Sequence, residues 1–336
     1  MDTLVDKIRQ HDRRSLAEAM SLVDSDAGEA ARLKDLLRGA TAGVPWWGFT
    51  GPPGVGKSTL IDALLTRLRA ACRRVGVLAL DPTSPVSDGA LLGDRVRMMR
   101  HAEDRDVFIR SLATRRCAGG LSDATLHCAR LLELGGFDPV LIETVGVGQN
   151  EADIASIADF CVVLLGPGYG DYIQLIKAGP LEIADVVVVN KCDMPEAQRL
   201  LGEVREELRH SARAAAESDG GPVIFGIEAK SGKGVELLLE HLLARDQSAR
   251  NDEARQRAQR RRVLSEIRRS ALRSCAQTMD RALADFSSTS VFEELVRGRS
   301  SLSTVASQLG ADALAALTSG AGDNSKRTEA ARNTRR

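Results

Sequence analysis

Aromatic residues, net charge and long apolar runs are all scarce in this sequence. Phe, Trp and Tyr make up 3% of the 336 residues, which leaves few of the stacking platforms used to bind single-stranded nucleic acid. The 46 Lys and Arg residues equal the 46 Asp and Glu residues, so no overall field would hold a polyanion such as DNA. No run reaches the ~18 apolar residues of a membrane helix. We therefore expect neither nucleic acid nor a membrane as a partner.

Signals for export and for bound transition metals are also missing. Charged residues at Asp2, Asp6, Lys7 and Arg9 interrupt any apolar signal-peptide core. The six cysteines are scattered, with no C-x-x-C pair and no His at metal-ligand spacing. These features predict reduced cysteines and a cytoplasmic location.

Short apolar runs alternate with helical patterns through the middle of the chain. Most of these runs lack a polar face, which is typical of parallel strands covered by helices on both sides. The pattern predicts an α/β fold with a doubly wound, mostly parallel sheet. The predicted strands are Trp46–Thr50, Arg74–Asp81, Val107–Leu112, Pro139–Thr144, Phe160–Leu165, Val186–Asn190 and Val223–Ile227.

Helical segments precede and follow this predicted sheet. Thr3–Arg38 has the pattern of two amphipathic helices joined near Ser25–Gly28, and helical patterns resume after Asp246. From Ser319 the chain has almost no large apolar residue, which predicts disorder. We therefore predict an N-terminal helical extension (1–42), an α/β domain (43–248), a C-terminal helical arm (249–318) and a disordered tail (319–336).

The first predicted strand leads into a phosphate-binding pattern. Its residues are Gly51, Pro52, Pro53, Gly54, Val55, Gly56, Lys57, Ser58 and Thr59, and they match G-x-x-x-x-G-K-[ST]. The glycines let backbone N–H groups curl around a phosphate at a helix N-terminus. Lys57 would reach the β- and γ-phosphates, and the Ser58 hydroxyl would bind Mg²⁺. A glycine-rich turn that only caps a helix is the alternative, and the strand–loop–helix context disfavours it.

A second motif, Asn190-Lys191-Cys192-Asp193, ends another apolar strand and is similar to the N-K-x-D motif of GTP-binding proteins. One carboxylate, here Asp193, can accept both the N1–H and the N2 amino group of guanine. Adenine lacks that amino group, and an unmade buried bond costs about 1–3 kcal/mol, so GTP is favoured over ATP. Alternatively, Asp193 caps a helix that begins near Pro195.

A third segment, Glu228-Ala229-Lys230, follows the last predicted strand. GTPases usually have Ser-Ala in this loop and contact guanine through its backbone amides. Glu228 departs from that pattern, while Ala229 and the glycines that follow still fit. We include all three residues among the predicted guanine contacts.

Carboxylates at predicted strand ends complete a magnesium site. Asp81 ends the second strand, Asp94 follows it, and Glu143 ends the fourth strand at the place where GTPases have D-x-x-G. The C-terminal ends of parallel strands meet at one crevice, so these carboxylates and Ser58 are the predicted Mg²⁺ ligands. Each of them could instead cap a turn.

The predicted hydrolysis is slow. Ras-like enzymes orient the attacking water with a Gln directly after the D-x-x-G glycine, whereas Val147 follows Gly146 here and Gln149 lies two residues further on. Asp81 is our candidate for orienting the water. Another glycine-rich loop, Gly166–Asp171, is either a plain strand-to-helix turn or a segment that couples nucleotide state to a partner.

Together these motifs resemble the GTPases associated with methylmalonyl-CoA mutase, of the MeaB or ArgK type. The resemblance runs from Gly48 to Asp193. It includes Asp81-Pro82-Thr83-Ser84, Leu91-Leu92-Gly93-Asp94-Arg95, Phe108-Ile109-Arg110, Ala118-Gly119-Gly120 and, above all, Glu143-Thr144-Val145-Gly146-Val147-Gly148-Gln149.

The resemblance implies a cellular function, which the spacing of the motifs alone does not indicate. Proteins of this family form homodimers through the C-terminal arm and bind adenosylcobalamin-dependent acyl-CoA mutases; the cobalamin adenosyltransferase is a further candidate partner. GTP binding and hydrolysis gate cofactor loading and protect the mutase from inactivation. The resemblance also implies that Asp171, Gln174 and Lys177 belong to a switch segment, and we add Gly146 and Gln149 to the predicted switch residues. Lys57 and Asp81 are our candidate catalytic residues.

Three other functions remain as alternatives. A nickel metallochaperone GTPase would need a Cys and His cluster, and the histidines are dispersed at His11, His101, His127, His210 and His241. An ATP-using kinase linked to amino-acid transport would need an adenine preference, which Asp193 opposes. An interaction protein with an inactive site would not need the intact Lys57 and Ser58.

Overall fold

The computed structural model describes residues 2–24, 28–38, 43–81, 99–101, 103–113, 121, 123–144, 150–168, 182–214, 221–287, 289–297, 301–312 and 315. The chain divides into two compact units, Met1–Val263 and Leu264–Arg336. The predicted tail, 319–336, lies outside the described residues.

The first unit is built around one sheet. In the described ranges its strands are β1 (Trp46–Thr50), β2 (Val75–Asp81), β3 (Val107–Ala113), β4 (Val140–Glu143), β5 (Phe160–Leu165), β6 (Val186–Val189) and β7 (Val223–Gly226). They lie in the order β3-β2-β4-β1-β5-β6-β7, and every pair is parallel. The prediction of a doubly wound sheet is confirmed, and the sheet described is wholly rather than mostly parallel.

Helices cover both faces of this sheet. They are α1 (Asp2–Arg9), α2 (Arg13–Val23), α3 (Gly28–Arg38), α4 (Lys57–Ala70), α5 (Asp123–Leu134), α6 (Asn150–Ile157), α7 (Pro195–Ala214) and α8 (Val235–Ser248), and α9 (Asp252–Phe286) begins in this unit. Because helices pack on both sides, β1, β4, β5 and β6 are buried along their whole length. None of the described helices is of a length and apolarity that could cross a membrane.

The N-terminal extension corrects one prediction. The sequence pattern predicted two helices between Thr3 and Arg38, whereas the structure has three. The first predicted helix breaks at His11, whose φ of 67° no α-helix accommodates. Asp12 then starts α2 afresh, since its carboxylate accepts the N–H of Ser15 at 3.1 Å. The break lets α1 and α2 both pack on α5.

The second unit is helical in its described part. It contains the rest of α9, α10 (Ser290–Val296) and a helical segment at 302–312. Large apolar side chains are exposed along it, among them Leu264, Ile267, Leu272 and Leu283. An apolar surface of this kind suits contact with another protein chain.

A buried charged cluster lies where β1 and β5 begin. The Arg262 guanidinium stacks on Trp46 at 3.6 Å from the ring centre and donates to Asp159 Oδ2 at 2.6 Å. The same Asp159 oxygen accepts the Trp46 N–H at 2.6 Å. Nearby, Glu133 Oε1 accepts the N–H of Val44 at 2.8 Å, and burial raises the pKa of Glu133.

Replacing Glu133 with glutamine is expected to raise the melting temperature at about pH 7.5 and to leave it nearly unchanged near pH 4. A raised pKa in the folded state means that the stability contributed by Glu133 is present at low pH and is lost as the pH rises through that pKa. Glutamine keeps the acceptor for Val44 without the buried charge. Thermal melts across this pH range test the prediction, with the exposed Glu18→Gln as control. A lower melting temperature of the variant at pH 7.5 would contradict it.

Candidate nucleotide site

Three predicted site residues and Thr50 lie at the C-terminal ends of four strands, at one edge of the sheet. Thr50 ends β1, Asp81 ends β2, Glu143 ends β4, and Asn190 directly follows β6. In the sheet register Glu143 lies beside both Phe49 and Ala79. β4 and β5 lie on opposite sides of β1, so the order of the strands reverses at β1. In doubly wound sheets ligands usually bind in the crevice at such a reversal, and here the loop after β1 lies there.

The loop between β1 and α4 closes around its own backbone. Gly51 has a φ of 138°, and a Cβ there would lie 2.2 Å from the carbonyl oxygen of Leu164. Gly56 has a φ of 102°, and a Cβ there would lie 2.3 Å from Asn190 Nδ2. No larger residue fits at either position, so the loop keeps a cradle of main-chain amides at the N-terminus of α4.

Lys57 is the first residue of α4, and its ammonium group folds back over this loop. Lys57 Nζ donates to the carbonyl oxygens of Gly51 at 2.8 Å and Pro52 at 3.0 Å. The side chain is only 6% exposed. A positive charge is thereby held at the amide cradle, where it would meet the phosphates of a nucleotide.

Ser58 and Glu143 form a pair of oxygen donors next to the cradle. Ser58 Oγ donates to Glu143 Oε1 at 2.8 Å, and both side chains are buried. Hydroxyl and carboxylate oxygens are the ligand types that Mg²⁺ prefers, so the described residues fit this ion. The side chain of Asp81 and the whole of Asp94 lie outside the described residues. Within the described ranges no three His, Cys, Asp or Glu side chains gather into a metal site.

Sequence reasoning missed a hydroxyl pair at the same edge. Thr144 Oγ1 donates to Thr50 Oγ1 at 2.8 Å, and the Thr144 N–H donates to the Phe49 carbonyl oxygen at 2.9 Å. These bonds fasten the segment that follows β4 to the end of β1. Two isolated threonines, 94 positions apart in sequence, give no signal from which their pairing could be predicted.

Asn190 connects the phosphate loop to the loop after β7. Its Nδ2 donates to the Val55 carbonyl oxygen at 2.9 Å, and its Oδ1 accepts the Ala229 N–H at 2.9 Å. Lys191 Nζ adds a bond to the Gly54 carbonyl oxygen at 2.9 Å. Both the oxygen and the nitrogen of the Asn190 side-chain amide are thus used to position loops. We predicted that Ala229 contacts guanine, whereas in this structure its backbone N–H donates to Asn190.

The Asp193 carboxylate lies at the surface beside these loops. Helix α7 begins at Pro195, and its first backbone bonds run from Ala197 and Gln198 to the Met194 carbonyl oxygen. Asp193 is exposed and accepts no hydrogen bond from any described residue. The alternative role as the cap of α7 therefore has no support in the structure.

Glu228 departs from the usual Ser-Ala pattern by closing its own loop. Its carboxylate accepts bonds from Lys233 Nζ at 2.7 Å and Ser231 Oγ at 3.0 Å, and Glu228 and Lys233 also form a backbone bridge. The Lys233 ammonium and the Ser231 hydroxyl hold the pKa of Glu228 below its ordinary value. The loop that contains Ala229 and Lys230 is therefore fixed by an ion pair.

The predicted switch residues are not among those that the structure places. Gly146, Gln149, Asp171, Gln174 and Lys177 all lie outside the described residues. The described structure thus brings together Lys57, Ser58, Glu143, Asn190 and Lys191.

A wholly parallel, doubly wound sheet with a P-loop and an N-K-x-D loop at one edge defines a P-loop GTPase fold. The family model for methylmalonyl Co-A mutase-associated GTPase MeaB matches residues 16–282, and the chain belongs to this family.

Known proteins agree with this assignment. A Pyrococcus horikoshii protein provisionally named a GTPase is 40% identical over 290 residues, which cover 85% of this chain and 90% of that protein. The mouse protein named methylmalonic aciduria type A homolog, mitochondrial, is 37% identical over 70% of this chain and 60% of its own length. A crystal structure described as an LAO/AO transport system kinase superimposes with a TM-score of 0.62 and 23% identity, covering 92% of this chain and 95% of that one. This last similarity shows the fold alone.

Proposed function

We propose that the protein binds and slowly hydrolyses GTP and serves an adenosylcobalamin-dependent acyl-CoA mutase, for which it gates cofactor loading and prevents inactivation. The observation that carries the nucleotide part is the Asn190 bridge, which ties the phosphate loop to the base loop. The family description carries the choice of partner. The mouse relative, named for methylmalonic aciduria, points to the same metabolism.

In this proposal the chain holds the triphosphate with the amides of residues 51–59 and the Lys57 ammonium. Ser58, Asp81, Asp94 and Glu143 would hold Mg²⁺, and the ion would supply positive charge that offsets the negative charge of the phosphates. Lys57 stabilises the negative charge that develops on the transferred phosphoryl group, and Asp81 orients the attacking water. Because Val147 replaces the water-orienting Gln, we propose that turnover is slow until the partner binds.

Guanine lies against the second group of loops. Asp193 accepts the N1–H and N2 amino protons of the base, while Asn190, Lys191 and the Glu228–Lys230 loop shape the surface around it. An exposed carboxylate that makes no bond to a described residue is ready to accept two donors from a ligand. This supports GTP over ATP, and hence a GTPase over an ATP-using kinase.

The remaining parts of the proposal concern protein partners. The exposed apolar side chains after Val263 support a homodimer formed through the helical arm. The switch segments that contain Gly146, Gln149, Asp171, Gln174 and Lys177 would contact the mutase, and the cobalamin adenosyltransferase is a further proposed partner.

Adding the adenosylcobalamin-dependent mutase encoded by the same genome is expected to raise GTP turnover by roughly tenfold or more, as partner proteins do for slow GTPases. Phosphate release from GTP and from ATP is measured with purified protein, with and without the mutase. GTP turnover that is stimulated by the mutase supports the proposal.

Each alternative function predicts a different result in the same assays. Equal affinity for ADP and GDP would favour the kinase, and stoichiometric Ni²⁺ in equilibrium dialysis would favour the nickel metallochaperone. GTP binding without turnover, even with the mutase present, would indicate an inactive interaction protein. Any of these results would overturn the proposal.

A further inference from the structure

A basic cavity lies at the opposite edge of the sheet from the nucleotide loops. It has a volume of about 360 Å³ and lies where β5 begins, between the end of α8 and the first turns of α9. A second cavity of about 170 Å³ shares Asp159, Ala249 and Ala258 with it. We call the two together the arginine cleft. The nucleotide loops follow the C-terminal ends of β1, β6 and β7, at the other edge of the same sheet, so the cleft is a separate site.

Three guanidinium groups line the larger cavity. Arg245 comes from α8, while Arg257 and Arg261 lie one turn apart on α9. One carboxylate, that of Asp159, lines the same cavity, and its nearest partner is Arg262 at 2.6 Å. Positive charge therefore predominates in this cavity, although the chain as a whole is neutral.

Two of these three guanidinium groups form only long ion pairs in the described structure. Arg245 forms an ion pair with Asp185. The nearest carboxylate oxygen to Arg257 is 3.8 Å away, on the exposed Glu253, and the nearest to Arg261 is 3.9 Å away, on Asp159. Both distances exceed the ~3.2 Å limit of a good hydrogen bond. Arg261 Nη2 donates to the Ala158 carbonyl oxygen, while Arg261 Nε is buried without a hydrogen-bond partner among the described residues.

We propose that the arginine cleft binds the phosphate monoester group of a small molecule. Such a group carries about −1.5 to −2 charge at neutral pH, which matches the charge of the two guanidinium groups whose ion pairs are long. Guanidinium forks bind phosphate oxygens through paired hydrogen bonds, and Ser248 lines the same cavity with a hydroxyl group. The volume lies within the range of roughly 300–1,000 Å³ that is usual for small-molecule sites.

Calorimetric titration of the full chain with glycerol 3-phosphate tests this proposal. Saturating GDP and Mg²⁺ are present throughout, so that the P-loop is already filled. We expect one binding event per chain, and we expect Arg257→Gln to weaken it by roughly tenfold or more, the effect of losing one charge-assisted hydrogen bond. Arg257 is exposed, so we expect the variant to fold as the wild type does. The matched control is Arg260→Gln, since Arg260 is an exposed arginine of the same helix that lines neither cavity.

A second titration uses glutarate, a dicarboxylate of similar total charge, at the same ionic strength. Much weaker binding of glutarate supports recognition of a phosphate group, whereas equal binding would overturn it. Absence of a binding event for glycerol 3-phosphate would also overturn the proposal. So would an equal loss of affinity in Arg257→Gln and Arg260→Gln, because that result would indicate diffuse attraction to a basic surface.

Discussion

Replacing Asp193 with asparagine is expected to weaken GTP binding by roughly tenfold to a hundredfold, because a hydrogen bond to a charged group, worth ~1.5–3 kcal/mol, is lost. The new amide can no longer accept both guanine donors, but its NH₂ group can donate to the O2 of xanthine. Xanthosine triphosphate should therefore bind the variant better than GTP does. Titration of the wild type and the variant with both nucleotides measures this exchange of preference.

The matched control for this exchange is Glu196→Gln, which neutralises an exposed acid in the first turn of α7 and should leave GTP affinity unchanged. Unchanged GTP affinity in Asp193→Asn would show that the base is recognised elsewhere. Because Asp193 makes no hydrogen bond to a described residue, its replacement should not lower the melting temperature.

Replacing Lys57 with methionine is expected to reduce GTP affinity by about a hundredfold or more and to abolish measurable hydrolysis. The variant keeps the buried alkyl stem but loses the ammonium, and each hydrogen bond to a charged group contributes ~1.5–3 kcal/mol. The carbonyl oxygens of Gly51 and Pro52 also lose a donor, so a modest fall in melting temperature should accompany the loss. Nucleotide titration, a phosphate-release assay and thermal melts measure the three effects.

Circular dichroism of the Lys57→Met protein provides the control for folding. A native spectrum with no GTP binding would assign the loss to the missing charge. Affinity within about threefold of the wild type would contradict the role of Lys57 at the phosphates, since threefold is well under 1 kcal/mol.

The hydrogen-bonded pair Ser58 and Glu143 illustrates how much the sequence patterns predict. The G-x-x-x-x-G-K-[ST] match placed Ser58 at the start of a helix, and the apolar strand before Glu143 placed that residue at a strand end. Parallel packing of β1 and β4 in the observed register then brings the two side chains to 2.8 Å. The motif identified the residues, and the register set the distance between them.

The contacts of Asn190 could not be predicted from sequence patterns. The N-K-x-D pattern assigned it to the base, and nothing in the sequence indicated its two bonds to Val55 and Ala229. Those contacts join residues that lie 135 and 39 positions apart. The break between α1 and α2 at His11 was missed for a related reason, because a single residue in a left-handed conformation hardly changes the apolar periodicity around it.

The sequence by itself determined the strands, the parallel class of the sheet, the phosphate loop and the family resemblance, because these depend on local periodicity and short contiguous motifs. Only the tertiary structure decided the strand order, the bridge through Asn190, the Thr50–Thr144 pair and the arginine cleft. All of these depend on contacts between segments distant in the chain. Such contacts follow from how helices and strands pack together, and that packing cannot be predicted from any single segment of the sequence.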